Sequence, residues 1–96
     1  MEIEYDHAQN THTLEGSTAA FPLLFKDGIP RSILDVGCGT GTWLYAASKC
    51  GVTDIFGIDG VEIPPENLLF DSRNFKRFDL TAPVDLRRKF DVVLCL

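Results

Sequence analysis

A glycine-rich stretch at residues 31–44, RSILDVGCGTGTWL, constrains the fold of this 96-residue chain more than any other feature. It opens with an apolar run at residues 33–36, of the aliphatic and β-branched kind that fills a buried parallel strand, and predicts the first strand at residues 32–36. Glycines follow at three alternate positions, and a helical pattern begins at Thr42. A strand, a glycine-rich turn and a helix in succession allow a nucleotide-like ligand to approach closely, because glycine has no Cβ and accepts positive φ angles.

The spacing of these glycines separates two kinds of ligand loop. A dinucleotide-binding loop reads G-x-G-x-x-G and seats a pyrophosphate at the helix N-terminus. Counted from Gly37, its third glycine would fall at Thr42. Asp35 stands two residues before Gly37, where an anion repels a pyrophosphate but attracts a cationic amino group. The loop therefore favours a ligand with a cationic end, and a simple tight turn is the structural alternative.

The pattern D-x-G-x-G-x-G, from Asp35 to Gly41, closely resembles motif I of the class I S-adenosylmethionine-dependent methyltransferases. The resemblance implies an α/β fold of the Rossmann-like three-layer αβα type over residues 17–96, with a parallel sheet of strand order 3-2-1-4. This sheet is the first half of the family's full methyltransferase sheet. The implied cofactor is S-adenosyl-L-methionine, or S-adenosyl-L-homocysteine (SAH) as product. The implied activity is transfer of the methyl group to an acceptor that the sequence does not identify.

Two other functions stay open on sequence alone. A truncated module that binds the cofactor without transferring its methyl group would carry the same motif. An NAD-binding oxidoreductase half-domain is the second alternative, and both Thr42 and Asp35 speak against it.

Acidic residues end or follow the next two predicted strands. Residues 54–59 read as a second buried strand that ends in Asp59, whose two carboxylate oxygens suit two ribose hydroxyls. Residues 75–80 alternate apolar and polar side chains, which predicts a third strand at a sheet edge, with Asp79 at its end. In the family, a carboxylate at the place of Asp79 accepts from the adenine amino group, and the N–H of the next residue, here Leu80, meets a ring nitrogen. Each of the two aspartates has a turn cap as its alternative role.

The resemblance thus assigns a set of cofactor-binding residues and leaves the catalytic residue unknown. No metal is implied, because the chain has no cluster with metal-ligand spacing. The cofactor-binding set is Asp35, Gly37, Cys38, Gly39, Gly41, Asp59, Gly60, Asp79, Leu80 and Cys95.

Helices are predicted before and after the glycine-rich loop. Ser17 suits a helix N-cap, Pro22 is expected to break or restart that helix, and Gly28 is placed to end it. Leu23, Leu24 and Phe25 are expected to face the sheet. After the loop, residues 43–50 have helical spacing up to the stop at Gly51, and a brief helical turn is expected at residues 85–88.

Residues 1–16 have no sustained period and predict a mobile N-terminal arm. His7 and His12 lie in it. They are either solvent-exposed, or His12 or Tyr5 folds over the ligand as a lid, as N-terminal residues of the family often do.

Composition limits the partners. The net charge of −5 disfavours binding to nucleic acid or to an anionic membrane surface. No apolar run approaches the roughly 20 residues of a membrane span. Three cysteines without paired or metal spacing predict reduced thiols in a cytoplasmic protein. A local group of cations reads as a solvated face: Lys76, Arg77, Arg87, Arg88 and Lys89.

The last apolar run, at residues 90–96, is similar to the family's fourth strand. In the family the acceptor-binding residues follow that strand, so this chain holds the cofactor half of the fold. With no strand beyond it, the fourth strand is an edge, and residues 92–96 contain no charge or proline to protect it. The sequence therefore predicts a homodimer, or aggregation, through this edge.

Overall fold

The computed structural model of the protein describes residues 11–95, without the side chains of residues 11–15, 17 and 18. This part of the chain contains two α-helices and four β-strands. The helices are α1 (Thr11–Leu24) and α2 (Thr42–Lys49), and the strands are β1 (Ser32–Val36), β2 (Asp54–Asp59), β3 (Phe75–Arg77) and β4 (Val92–Leu94). Two single turns of 3-10 helix, Pro65–Asn67 and Ser72–Asn74, lie between β2 and β3.

The four strands form one parallel sheet in the order β3-β2-β1-β4. The predicted order is confirmed, and β1 and β2 have the predicted bounds. β3 and β4 are shorter than predicted. β4 begins only at Val92, because Asp91 is tied to the start of β1. Its backbone N–H donates to Ser32 Oγ at 2.8 Å, and its carboxylate accepts from the Arg31 N–H at 2.9 Å.

One face of the sheet packs against both helices. Ile33 is in register with Ile55 and with Val92, and side chains at matched positions of a sheet point to the same face. Ile33 and Ile55 are buried there, with Val92 packed against them. The fully buried Phe21 of α1 and Leu44 of α2 complete this core.

The first helix differs from the prediction. α1 runs without a break to Leu24, so Ser17 lies inside the helix and is not its N-cap, and Pro22 does not interrupt it. The helical hydrogen bonding continues beyond the proline, because the N–H of Phe25 donates to the carbonyl of Phe21 at 3.3 Å. The Phe21 and Phe25 rings also contact each other, with centroids 4.8 Å apart and ring planes tilted by 42°. Packing of the buried Phe21 and the half-buried Phe25 against the core holds the last turn in place against the local preference of proline.

The apolar face of α1 also differs from the expected one. Leu23 and Leu24 were predicted to face the sheet, but they are 75% and 60% exposed. Phe21 and Phe25 pack against the core in their place. The continuous helical turn past Pro22 rotates the two leucines to the solvent side.

Part of the predicted N-terminal arm belongs to α1, since the backbone of residues 11–16 is helical. Tyr5, His7 and the side chain of His12 lie outside the described residues. The lid formed by the arm therefore stays a prediction.

The opposite face of the sheet is crossed by an irregular segment at residues 84–90, which we call the strap. This face carries Leu34, in register with Phe56 and Val93. Phe90 of the strap contacts Phe56, with ring centroids 6.5 Å apart. Among residues 11–95 the third layer of the predicted αβα architecture is thus the strap and not a helix.

The helical turn predicted at residues 85–88 is wrong. Arg87 has a φ of +56°, in the left-handed region, which is incompatible with a right-handed turn. The Asp85 carboxylate accepts from the Arg87 N–H at 2.8 Å, so a side chain takes the hydrogen bond that a helix would give to a carbonyl.

Phe70 packs where α2 meets the sheet. Its ring occupies the space into which a side chain at Gly41 would project, and it lies 2.9 Å from the position that a Cβ at Gly57 would take. The segment before Phe70 is held by the Leu69 N–H, which donates to the Thr40 carbonyl at 2.9 Å. The absence of side chains at both glycines therefore makes room for one aromatic ring.

We predict that Gly41→Ala destabilises the fold more than Gly51→Ala does. Both glycines have left-handed φ angles, +92° and +100°, so the two variants carry similar backbone strain. Only a Cβ at Gly41 overlaps the Phe70 ring, since one at Gly51 has no atom within 4 Å. Such overpacking costs about 1–3 kcal/mol. Urea denaturation should show this difference in the free energy of unfolding, and adding Phe70→Leu should reduce it. Equal losses for the two alanine variants would contradict the packing role of Phe70.

Candidate functional site

The loop between β1 and α2 lies at the carboxyl edge of the sheet, and its shape depends on glycine. Gly37, Gly39 and Gly41 have φ angles of +75°, +57° and +92°, which residues with a Cβ rarely adopt. The N–H groups of Gly37 and Cys38 both donate to the Ile58 carbonyl, at 2.8 and 3.1 Å. These hydrogen bonds fix the loop to the end of β2.

Asp59, the last residue of β2, joins the loop to the segment that follows the strand. One carboxylate oxygen accepts from the Gly39 N–H at 2.9 Å, and the other accepts from the Val61 N–H at 3.0 Å. A carboxylate offers about four acceptor positions, so each oxygen of Asp59 retains one. Asp59 can therefore order the loop and still accept hydrogen bonds from two ligand hydroxyls.

Asp35 is buried beside this arrangement, with 3% of its surface exposed. Burial raises the pKa of its carboxyl from 3.8 to about 7, and the nearby negative charge of Asp59 contributes to the rise. At neutral pH the Asp35 carboxyl is thus divided between its neutral and charged forms. A cation bound in the loop would favour the charged form.

Cys38 contributes backbone to the loop, and its thiol belongs to the core. Burial raises the pKa of the thiol to about 12, with Asp35 and Asp59 adding to the rise. The Sγ–H donates to the Gly39 carbonyl at 3.3 Å, and Sγ lies 2.7 Å from the position of a Cβ at Gly57. A thiol this hard to ionise is a poor nucleophile, so the side chain has a packing role.

Two of the loop glycines, Gly37 and Gly41, border different surroundings. A Cβ at Gly37 would meet no atom within 4 Å, so the space next to Gly37 is open to a ligand. At Gly41 the corresponding space is filled by Phe70, and Gly41 also forms the N-cap of α2. Gly41 therefore contributes to the site through the packing of α2.

The other predicted residues lie at the same carboxyl edge. The Phe78 N–H donates to the Asp59 carbonyl at 3.0 Å, which places Asp79 and Leu80 just beyond the end of β3. Gly60 follows Asp59, and Cys95 follows β4 next to the end of β1, since Leu94 pairs with Asp35. Ligands of open α/β sheets bind at this edge, near the point where the strand order reverses.

Asp79 takes the turn-capping role that was its alternative. Its exposed carboxylate accepts from the Thr81 hydroxyl and, at 3.0 Å, from the Thr81 N–H. These two hydrogen bonds lower the pKa of Asp79, with the Thr81 hydroxyl making the larger contribution. The carboxylate is ionised at neutral pH and is accessible at the carboxyl edge.

Sequence reasoning missed Phe70 and the Thr40 carbonyl, which together close one side of the loop. A single phenylalanine after two prolines forms no periodic pattern, so nothing in the sequence marks it. Among residues 11–95, no group of three histidine, cysteine or acidic residues is arranged to hold a metal ion. In the same range no helix is long and apolar enough to cross a bilayer.

Residues 5–96 match the sequence profile of the family described as Methyltransferase domain. The chain belongs to this family. This match confirms the family membership that the resemblance of residues 35–41 to motif I predicted. The parallel sheet of order 3-2-1-4 agrees with it.

Solved methyltransferase structures resemble this domain. One is the plantazolicin methyltransferase BpumL in complex with SAH, with 31% sequence identity and a TM-score of 0.57 over 88% of this chain and 35% of that chain. A second structure of BpumL, with a monoazolic desmethylPZN analog and SAH, gives 30% identity and a TM-score of 0.55 over the same shares of both chains.

Curated relatives are methyltransferases as well. Ribosomal protein L11 methyltransferase of Laribacter hongkongensis (strain HLHK9) is 37% identical over 67% of this chain and 23% of its own length. Ribosomal RNA large subunit methyltransferase E of Caulobacter sp. (strain K31) is 44% identical over 43% of this chain and 17% of its own length. The chain thus spans well under half of the length of the relatives that it matches.

We predict that the stability of this methyltransferase domain falls between pH 5 and pH 8 because of Asp35. Its carboxyl has a pKa of about 7 in the folded state against 3.8 unfolded, so in this range the folded state binds more protons. The contribution of Asp35 to the free energy of unfolding is complete below pH 4. It is lost as the pH rises through 7, at up to about 1.4 kcal/mol per pH unit.

Urea denaturation at pH 5, 6, 7 and 8 measures this contribution. Asp35→Asn should flatten the pH dependence and raise stability at pH 8, whereas Asp27→Asn, at an exposed position, should leave the profile of the parent chain unchanged. A parent profile with the same slope as that of Asp35→Asn would rule out the buried carboxyl as its cause.

Proposed function

We propose that this methyltransferase domain binds S-adenosylmethionine at the carboxyl edge of its sheet and serves the transfer of the methyl group to an acceptor. The observation that carries the proposal is the pair of hydrogen bonds from the Asp59 carboxylate to the N–H groups of Gly39 and Val61. They hold a loop of left-handed glycines in a fixed shape around open space at Gly37. The solved relatives, which are SAH complexes, support the same ligand.

Residues of the carboxyl edge suit the parts of this cofactor. The backbone at Gly37, Cys38 and Gly39 would border the methionine portion, and Asp35 would favour its cationic amino group. Asp59 has one free acceptor position on each oxygen for the two ribose hydroxyls. The set is completed by residues that would border the adenine or enclose the site: Gly41, Gly60, Asp79, Leu80 and Cys95.

Binding and orientation are the contributions that this domain can make to the reaction. The bound cofactor supplies a methyl group already activated on a sulfonium, so alignment of the acceptor can supply much of the rate. We assign no described residue as a general base. The acceptor site is not assigned either, since the chain spans 35% of the length of the solved relative.

That partial coverage favours one second candidate, a module that binds the cofactor and transfers nothing. It shares every binding residue with the first proposal. Incubation of the purified chain with labelled cofactor and a panel of acceptors separates the two, because only the enzyme would transfer label.

We predict that the chain binds SAH and not NAD, and that Asp59→Ala weakens binding of SAH by about 1.5–3 kcal/mol, as expected for hydrogen bonds to a charged acceptor. Isothermal titration calorimetry measures both. The matched control is Asp54→Ala at the other end of β2, where the carboxylate pairs with Arg88 away from the loop; it should leave SAH affinity unchanged. Asp59→Ala should weaken the binding of an SAH analogue without ribose hydroxyls by less than it weakens the binding of SAH. Binding of NAD in preference to SAH would contradict the proposal.

We further propose a cytoplasmic location and a homodimer formed through β4. The location is supported by the three cysteines, all with free thiols. The dimer is supported by the sheet order, in which β4 is an edge among the strands of residues 11–95, and by Val93, which is 57% exposed on the face crossed by the strap.

Sedimentation equilibrium tests the dimer. We expect the 96-residue chain to sediment as a dimer at high concentration, and Val93→Lys to shift it toward monomer and raise its solubility. A parent chain that remains monomeric at high concentration would contradict the proposed dimer.

A further inference from the structure

A cavity of about 320 Å³ lies between the strap and the sheet face opposite α2. Its walls are the rings of Phe56, Phe78 and Phe90, together with Leu86. None of the residues assigned to the cofactor at the carboxyl edge lines this cavity. The proposed function leaves the cavity without a role.

The strap is held on this face by two contacts with β2, one through Arg88 and one through Phe90. The Arg88 guanidinium forms an ion pair with the Asp54 carboxylate, and its central carbon lies 4.0 Å from the centroid of the Phe90 ring. Phe90 in turn contacts Phe56. The cavity is therefore formed before any ligand arrives, which lowers the entropic cost of binding.

Two cations face the cavity without an acidic partner among residues 11–95. Lys76 Nζ lies 5.1 Å from the Phe78 ring centroid, and no ion pair within the described range involves Lys76 or Arg87. Among the residues that line the cavity, three are cations, Lys76, Arg87 and Arg88, and one is an acid, Asp85, whose carboxylate accepts from the Arg87 N–H. The lining is therefore net positive in a chain whose net charge is −5.

We propose that the cavity is a second binding site, for a planar aromatic molecule that carries a carboxylate or a phosphate. The phenylalanine rings offer stacking and edge contacts to an aromatic ring. Lys76 and Arg87 offer charge-assisted hydrogen bonds to its acidic group. The volume is at the lower end of the roughly 300–1,000 Å³ of small-molecule sites, so the ligand has one or two fused rings.

Two sources share this chemistry, a free aromatic acid and a mononucleotide. Indole-3-carboxylate and AMP represent them as probes, and indole-3-carboxamide and adenosine are their matched neutral analogues. Titrations use the complete 96-residue chain, with and without saturating SAH, and follow the NMR signals of the Phe78 and Phe90 rings. Only ring shifts that persist in saturating SAH are assigned to the cavity, because AMP and adenosine share the adenine and ribose of the cofactor. SAH binding is measured in parallel, so failure of the cofactor assignment is seen separately.

We expect at least one acidic probe to shift both ring signals and to bind at least tenfold more tightly than its neutral analogue. A response to indole-3-carboxylate alone assigns the site to free aromatic acids, and a response to AMP alone assigns it to mononucleotides. The proposal is overturned if neither probe shifts the rings, or if the neutral analogues bind equally well.

Two variants test the roles of the cations. Lys76→Met keeps the apolar stem and removes the charge, and Arg87→Gly removes the charge while suiting the left-handed φ of +56°. Each should weaken probe binding at least fivefold, and Arg87→Gly should do so without loss of thermal stability. Arg73→Gln is the control, because Arg73 is exposed and paired with Asp71 outside the cavity. Unchanged probe affinity in both cavity variants would overturn the proposal.

Discussion

The carboxylate of Asp59 is the interaction on which the rest of the site depends. By accepting from Gly39 and from Val61, it joins a loop after β1 to the chain after β2 across 20 residues of sequence. Hydrogen bonds to a charged acceptor are stronger than neutral ones, and here they hold a backbone whose glycines have left-handed φ angles. Without this carboxylate, the loop would keep the two hydrogen bonds from Gly37 and Cys38 to the Ile58 carbonyl of β2 and would lose its link to the chain after β2.

The same region works against the stability of the fold. Asp35 is buried beside the negative charge of Asp59, which is unfavourable enough to raise its pKa to about 7. A protein selected for stability alone would have an apolar residue at this position. A carboxyl buried at such an electrostatic cost is typical of a site that binds a charged ligand. A bound cation would pair with the Asp35 carboxylate and so offset the cost of burying its negative charge.

The sequence was sufficient for the centre of the sheet and insufficient for its surroundings. β1 and β2 were predicted to the residue, because an apolar run flanked by turn residues has few alternatives at a buried position. The course of α1 was not, since local rules at Pro22 were overridden by burial of Phe21 and Phe25. Phe70 was missed for a related reason: its role depends on two glycines distant in sequence that become its neighbours only in the fold.

The central claim is that the loop held by Asp59 binds the cofactor, and an amide NMR titration with SAH tests it most directly. The account predicts that the largest shifts occur at the N–H groups of Gly37, Gly39 and Val61, with little change in the strap at Phe90. Saturable binding of SAH that leaves the amides of Gly39 and Val61 unperturbed, or that perturbs the strap instead, would contradict it.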